Sequence, residues 1–319
     1  MNKNWLESLD NKDTNNIKEF LKVLEIDFKN IIKICVSGNS SRVTTITALK
    51  EVLNTKKFYS GVINFSDLDS IITYKNRKID DESLDFHLGC IKEVSLELNL
   101  NISKNEAIFL AGLNFFREQK SPIIIVEDAY PFIKDIVYNY YLLNDYSDDS
   151  NIYSYNKIDM KDLFLYKSEL CSFNYNGVDF DCPNYGSFNA LSYSLAISFI
   201  NEVFPEIKMK KIRNIINDVK SNMIYERVNM NPRVIVNYIL DYDLIDSIER
   251  LKSITNRKVI TVSNIESKEI DYVIKDVNEL KDIINKSDIN DIIYIAVDKL
   301  LVKDIRLFYH IIKLICINL

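Results

Sequence analysis

Apolar residues recur along this chain with two alternating periods, and the alternation predicts helices interleaved with strands. In "TNNIKEFLKVLEI" the positions Ile17, Phe20, Leu21 and Leu24 fall on one helical face, so the segment reads as an amphipathic helix. "IIKICV" follows as a short buried strand, "VTTITALKEVLN" as a helix and "YSGVINF" as a second strand. Two long amphipathic helices, in "DESLDFHLGCIKEVSLELN" and "KNEAIFLAGLNFFREQ", lead into "SPIIIVEDAY", a continuously apolar strand that ends in Glu127 and Asp128. Strand, helix and strand in succession imply right-handed crossovers and a mostly parallel sheet covered by helices.

Beyond this strand the periodicity weakens. "FIKDIVYNYYLLNDY" reads either as a core-packing helix with its tyrosine tips in solvent or as an interaction face, and residues 141–159 read as a polar surface excursion. "FLYKSELCSFNYNGVDFDC" has the pattern of a β-hairpin, in which Asn176-Gly177 supplies the positive φ angles of a tight turn. Helices in "SFNALSYSLAISFINEVF" and "KMKKIRNIINDVKSN" come next. The pattern then restarts after Asn231-Pro232: "RVIVNY", "KVITVSN" and "DIIYIAV" alternate with "DLIDSIERLKSI", "VNELKDIINKS" and the closing "VKDIRLFYHIIKLI". Three successive β-α units make a small α/β domain, so the expected division is 1–229 and 230–319.

The composition, 47% hydrophobic and 27% charged, is that of a globular protein able to bury a core. A formal charge of −6 argues against nucleic acid or an anionic membrane as partner. No apolar run approaches the roughly 18 residues of a membrane span, and Met1-Asn2-Lys3 does not open a signal peptide, so the cytosol is the expected compartment. The five cysteines, Cys35, Cys90, Cys171, Cys182 and Cys316, lack CxxC spacing and read as reduced, mostly buried thiols. His87 and His310 are the only histidines, which leaves little for a catalytic triad or a zinc site.

The candidate chemistry lies in "ICVSGNSSRVTT", where a β-branched strand enters a glycine, small polar residues follow, and a helix begins. A phosphate loop works by turning backbone N–H groups toward an anion at a helix N-terminus, with a lysine on the phosphates and a hydroxyl on magnesium. This segment, followed in order by "NEAIFLAGLNFFREQKSPIIIVED", "NYGSFNALSYSLA" and "YERVNMNPRVIVNYILDY", resembles the folylpolyglutamate synthase and dihydrofolate synthase branch of the Mur ligase superfamily. The resemblance runs along most of the chain and rests on segment order more than on intact motifs. It implies a P-loop domain with a mostly parallel sheet and a smaller Rossmann-like C-terminal α/β domain. It further implies ATP and magnesium as cofactors, and a ligase that joins a carboxylate to an amine through an acyl phosphate.

Carried over residue by residue, the loop motif G-T-N-G-K-G-[ST] places Gly38 at the first glycine, Asn39 after it, Arg42 at the lysine, Val43 at the second glycine and Thr44 at the hydroxyl, with Thr45 beside it. Leu68 is kept from the T-S-P-H-L segment and Asp67 stands at its histidine, while Glu106 matches a family glutamate ahead of an apolar helix. Glu127 stands at the strand-end glutamate that holds magnesium, and Asn189 at the asparagine that approaches adenine, followed by Ala190, with Tyr185 at a histidine. Glu226, Asn231 and Pro232 fit the junction, whereas Ile224 replaces its arginine and the D-G-A-H-N-P motif has become residues 237–242. The segment with the family's modified lysine and metal-binding histidine has no counterpart between Asp128 and Leu163.

Each residue also has a plainer reading. Arg42 keeps a charge but changes its shape, and the β-branched Val43 disfavours the close backbone approach that glycine allows. The loop is therefore a working ATP site, a weakened anion site, or a structural turn. Glu127 is a metal ligand or part of a solvated acidic turn, Asn189 an adenine contact or a helix cap, and Thr44 and Thr45 are magnesium ligands or caps of a helix opening at Val43. With four family features missing together, the leading expectation is a non-catalytic or weakly nucleotide-binding relative. The alternatives are an active ATP-dependent ligase adding glutamate or another amino acid to a small carboxylate, and a protein-binding scaffold.

Overall fold

The apolar strand expected around Ile125 forms the centre of a sheet in the computed structural model, which describes residues 2–14, 16–39, 41–54, 58–67, 71–166, 170–219, 225–230, 232–238, 244–298 and 310–315. All residues of this strand, β5 (Ile123–Glu127), are buried, as a strand covered on both faces requires. It pairs in parallel with β1 (Ile32–Gly38) and with β2 (Ser60–Ile63), so that Ile125 stands opposite Ile34 on one side and Val62 on the other. A short hairpin, β3 (Ile72–Tyr74) and β4 (Arg77–Lys78), extends one edge through a turn in which Lys75 and Asn76 hold φ of 53° and 57°. β6 (Tyr140–Asn144) and the parallel β7 (Ile152–Tyr153) extend the other edge, giving the order β4-β3-β2-β5-β1-β6-β7.

Helices α1 (Asn2–Glu7), α2 (Ile17–Val23), α4 (Asp81–Leu98) and α5 (Lys104–Glu118) supply Leu6, Phe20, Leu88, Phe109 and Phe116 to the core that covers this sheet. A capping box opens α5: Ser103 Oγ accepts from the Glu106 N–H while the Glu106 carboxylate accepts from the Ser103 N–H at 2.8 Å. Glu106 is thereby spent on holding its helix.

Two expectations fail here. "FIKDIVYNYY" is not a helix: a 3-10 turn at Pro131–Asp135 gives way to β6. Nor is the following segment only a surface excursion, because it forms β6 and β7 and buries Asn144, Ser154 and Tyr155. Strand pairing and burial depend on what lies alongside a segment, and its own polar composition does not reveal that.

The restarting β-α pattern builds the second sheet. β12 (Arg233–Tyr238), β15 (Ile292–Val297) and β13 (Val259–Ser263) pair in parallel, with Ile295 opposite both Val236 and Val262, and β14 (Tyr272–Val273) adds a parallel edge. α8 (Leu244–Ser253) and α9 (Leu280–Lys286) are the intervening helices. The sheet continues through antiparallel strands β11 (Glu226–Met230), β10 (Val178–Tyr185), β9 (Leu170–Tyr175) and β8 (Leu163–Leu165), in the order β14-β13-β15-β12-β11-β10-β9-β8. Asn176 and Gly177 turn the β9–β10 hairpin at φ of 53° and 76°, as the sequence predicts. α6 (Asn189–Val203) and α7 (Met209–Asn217) follow β10. Of the closing helix, residues 310–315 are helical; Leu68, Ile224, Asn231, residues 239–242 and Cys316 lie outside the described residues.

The chain divides into two compact units. The first holds the seven-stranded sheet, within Met1–Ser37, Leu49–Leu143 and Ser147–Tyr153; the second holds the eight-stranded sheet, within Gly38–Ala48, Asn144–Tyr146 and Ser154–Leu319. Helix α3 (Arg42–Leu53) begins in the second unit. Among the described residues no helix is long and apolar enough to cross a membrane.

Candidate functional site

The segment from Gly38 into α3 is a strand-loop-helix turn, and its first residue has to be glycine. Gly38 holds φ +106°, and a Cβ there would meet the Asn144 backbone nitrogen at 2.8 Å. Asn39 then folds back on the loop: its Oδ1 accepts from the Ser41 N–H at 3.0 Å, and its Nδ2 donates to the Asn144 carbonyl. The Arg42 N–H bonds the Asn39 carbonyl and the Thr44 N–H bonds the Ser41 carbonyl, each at 3.0 Å. N–H groups of the loop and the first helical turn are what such a site offers an anion. Those of Ser41, Arg42 and Thr44 already have partners within the loop.

Arg42 is among the largest fully buried side chains of the protein, 1% exposed. Its Nη1 donates to the carbonyls of Asn39 at 3.2 Å and Gly38 at 3.4 Å, so the charge is turned onto the loop's own backbone. Val43 points into an apolar cluster with Ile235, Leu244, Ile248, Leu251 and Tyr294, contributed by β12, α8 and β15. The side chain that stands at a glycine position of the phosphate-loop motif thus works as core.

α3 opens at Arg42, one residue earlier than the pattern suggests, and neither threonine caps it. Thr44 Oγ1 donates to Asn189 Oδ1 at 3.2 Å, and Thr45 Oγ1 donates to the Ser192 carbonyl at 3.1 Å. Asn189 is likewise no N-cap; it is the first residue of α6, and its Nδ2 donates to the carbonyls of Tyr185 at 3.0 Å and Gly186 at 3.4 Å. Both ends of its amide are engaged.

Under this turn lies a buried polar network that the sequence reading missed. Asn144 Nδ2 stands within hydrogen-bonding reach of Thr45 Oγ1 (2.8 Å), Ser192 Oγ (2.9 Å), Tyr155 OH (3.3 Å) and the Ser41 carbonyl (3.4 Å), while Asn144 Oδ1 is buried without a partner. Burial raises the Tyr155 phenol above its ordinary pKa, partly offset by its bonds to Ser192 and Asn144. Arg250 of α8, held by Asp246 at 2.9 Å, donates from Nη1 to Ser41 Oγ at 3.2 Å. Asn144 and Tyr155 went unseen because they sit in the segment read as a surface excursion, and the Asp246–Arg250 spacing reads as an ordinary solvated helix pair. Ser192 alone carried a signal, since it lies one helical turn beyond Asn189 on α6.

Gly38, Asn39, Arg42, Thr44, Thr45 and Asn189 are thus gathered in the second unit, whereas Glu127 belongs to the first. Glu127 is not in a solvated turn: it is fully buried at the end of β5, and its carboxylate accepts from the Ser66 N–H at 2.9 Å and the Ser66 hydroxyl at 2.6 Å. Asp128 beside it pairs with Lys134 at 3.8 Å. Among the described residues no group of three or more His, Cys, Asp or Glu side chains is placed to hold a metal ion.

No family model matches the chain, and no curated protein matches its sequence. Solved structures do match over nearly the whole chain. A folylpolyglutamate synthetase from Lactobacillus casei aligns at a TM-score of 0.67 with 13% identity, covering 98% of each chain. E. coli FolC in complex with DHPP and ADP aligns at 0.69 with 11% identity, covering 99% of this chain and 97% of its own. A bifunctional folylpolyglutamate synthase/dihydrofolate synthase from Yersinia pestis, complexed with AMPPNP and Mn ion, aligns at 0.68 with 12% identity over the same shares. Likeness at such low identity is likeness of fold, and the fold is that of the folylpolyglutamate synthases.

Proposed function

We propose that this chain, built on the folylpolyglutamate synthase fold, is a cytoplasmic, non-catalytic relative of those ligases whose nucleotide loop has become a structural turn and holds nucleotide weakly at most. The observation that carries the reading is Arg42. The residue at the lysine position of the motif is buried and bonded to the carbonyls of its own loop, where its charge serves the turn instead of a phosphate. As arranged, the donor set does not fit Mg-ATP. The Thr44 hydroxyl and the Asn189 amide bind each other, Val43 fills core, and the Glu127 carboxylate takes both donors of Ser66. The neighbours of known structure hold AMPPNP with manganese or ADP, and this chain keeps their fold while its own groups satisfy one another.

Acyl-phosphate chemistry needs cations and metal on the transferring phosphoryl group and a nucleophile held in line. A self-satisfied loop supplies neither. Isothermal titration of the full chain with Mg-ATP is expected to show millimolar affinity or weaker, a binding free energy of no more than about 4 kcal/mol. Micromolar binding, or phosphate release that requires both a carboxylate and an amine, would overturn this reading in favour of a live ligase.

A further inference from the structure

A second chemistry sits away from the loop, in the β9–β10 hairpin. Cys171 and Cys182 are register partners in this antiparallel pair, directly opposite one another. Both are unpaired thiols and both are buried, 0% and 2% exposed. Opposed residues of an antiparallel pair project to the same face with Cα atoms about 4.5–5.5 Å apart. That separation lies inside the range of about 4.4–6.8 Å that a disulfide spans. The ladder is irregular between Cys182 and Tyr185, immediately beyond the pair, and a bulge there leaves the backbone room to adjust as a bond forms. On one side the pair is backed by Phe173 and Phe180, the next opposed inward-facing residues, stacked at 5.0 Å. Fully buried Tyr193 of α6 faces both thiols and is itself tied to Asn184 at 2.5 Å.

We propose that Cys171 and Cys182 form a reversible cross-strand disulfide, with hydrogen peroxide as the oxidant, and so act as a redox-responsive staple in the second sheet. In the first step one sulfur attacks peroxide, giving a sulfenic acid and one water. In the second the opposing thiol attacks that sulfur and expels a second water. The two sulfurs together lose two electrons, and peroxide is reduced to two waters. Burial has two consequences. It slows the first step, because burial and the neighbouring Cys171 hold the Cys182 thiol protonated and peroxide must enter as the hairpin breathes. It also directs the second, because the sulfenic acid meets the opposing thiol before another peroxide arrives.

The test uses the full-length native protein, treated with hydrogen peroxide, quenched, alkylated, digested and analysed by mass spectrometry. The expected product is a Cys171–Cys182 cross-linked peptide that dithiothreitol reverses, forming more slowly than oxidation of half-buried Cys90. The oxidised protein is expected to unfold at a higher urea midpoint than the reduced one, and Cys171→Ala or Cys182→Ala, each conserving the apolar character of the site, should abolish both the cross-link and the shift. The proposal is overturned if both thiols remain alkylatable while Cys90 is oxidised. It is equally overturned if they end as sulfinic acids without a cross-link, or if the cross-link appears only after denaturation.

Discussion

Replacing Val43 by glycine restores the motif residue at the position where the loop departs furthest from a phosphate cradle, and it should weaken the protein without creating a nucleotide site. Val43 is 8% exposed and packs among Ile235, Leu244, Ile248, Leu251 and Tyr294. Burying a valine side chain is worth about 1.5–3 kcal/mol, and deleting it from a packed cluster adds a cavity cost. Glycine in a helix costs up to about 1 kcal/mol more relative to alanine, at the lower end here because Val43 lies in the first turn of α3. The expected loss is about 3 kcal/mol. Urea unfolding with an unchanged m-value measures it, and thermal shift with Mg-ATP measures binding in the same samples. A loss below about 1 kcal/mol would show that Val43 is not core. Stabilisation by Mg-ATP that appears only in Val43→Gly would show that the valine alone closes the site, and the reasoning from Arg42 and Thr44 would fail with it.

Gly38→Ala combines a positive φ with a 2.8 Å approach to the Asn144 backbone, so it is expected to cost at least about 2 kcal/mol in urea unfolding; a neutral substitution would refute the close approach. Arg42→Met should lower stability by about 2 kcal/mol, because carbonyls of Gly38 and Asn39 lose a charged donor, and should leave the weak Mg-ATP isotherm unchanged; a weaker isotherm would assign the charge to phosphate. His87 is buried with Nδ1 at 3.0 Å from Asn114 Nδ2 and Nε2 at 3.3 Å from Glu118, and burial, aided by Arg117 and opposed by Glu118, holds its pKa below the ordinary 6.5. The fold therefore favours neutral His87: its contribution is fully present above 6.5 and is lost as pH falls through the lower folded value. Unfolding free energy measured across that window should fall toward acid, and His87→Gln should flatten the slope; an equal slope in both proteins would rule the histidine out.

Most of the scaffold is legible in the chain because it rests on local signals. The buried strand 123–127, the three strands and first two helices of the β-α pattern after residue 230 and the Asn176-Gly177 hairpin follow from periodicity and turn chemistry, and the structure contains each of them. The segment 132–159 misleads for the opposite reason. Its strands exist only because β6 finds a place between β1 and β7 in a sheet, and Asn144 and Tyr155 are buried against Ser192, which is far away in sequence.

By itself the sequence determined the alternation of helices and strands, the glycine that the Gly38 turn demands, and which chemical groups stand at the loop. Only the tertiary structure decided what those groups face. Arg42 and Thr44 look available for a phosphate and a metal when read along the chain, yet they bind the Asn39 carbonyl and Asn189, and Val43 joins a core assembled from strands and a helix about 200 residues downstream. Hydrogen-bond commitment and burial are pairwise properties of neighbours in space, so a motif lists the donors but not whether they are already spent.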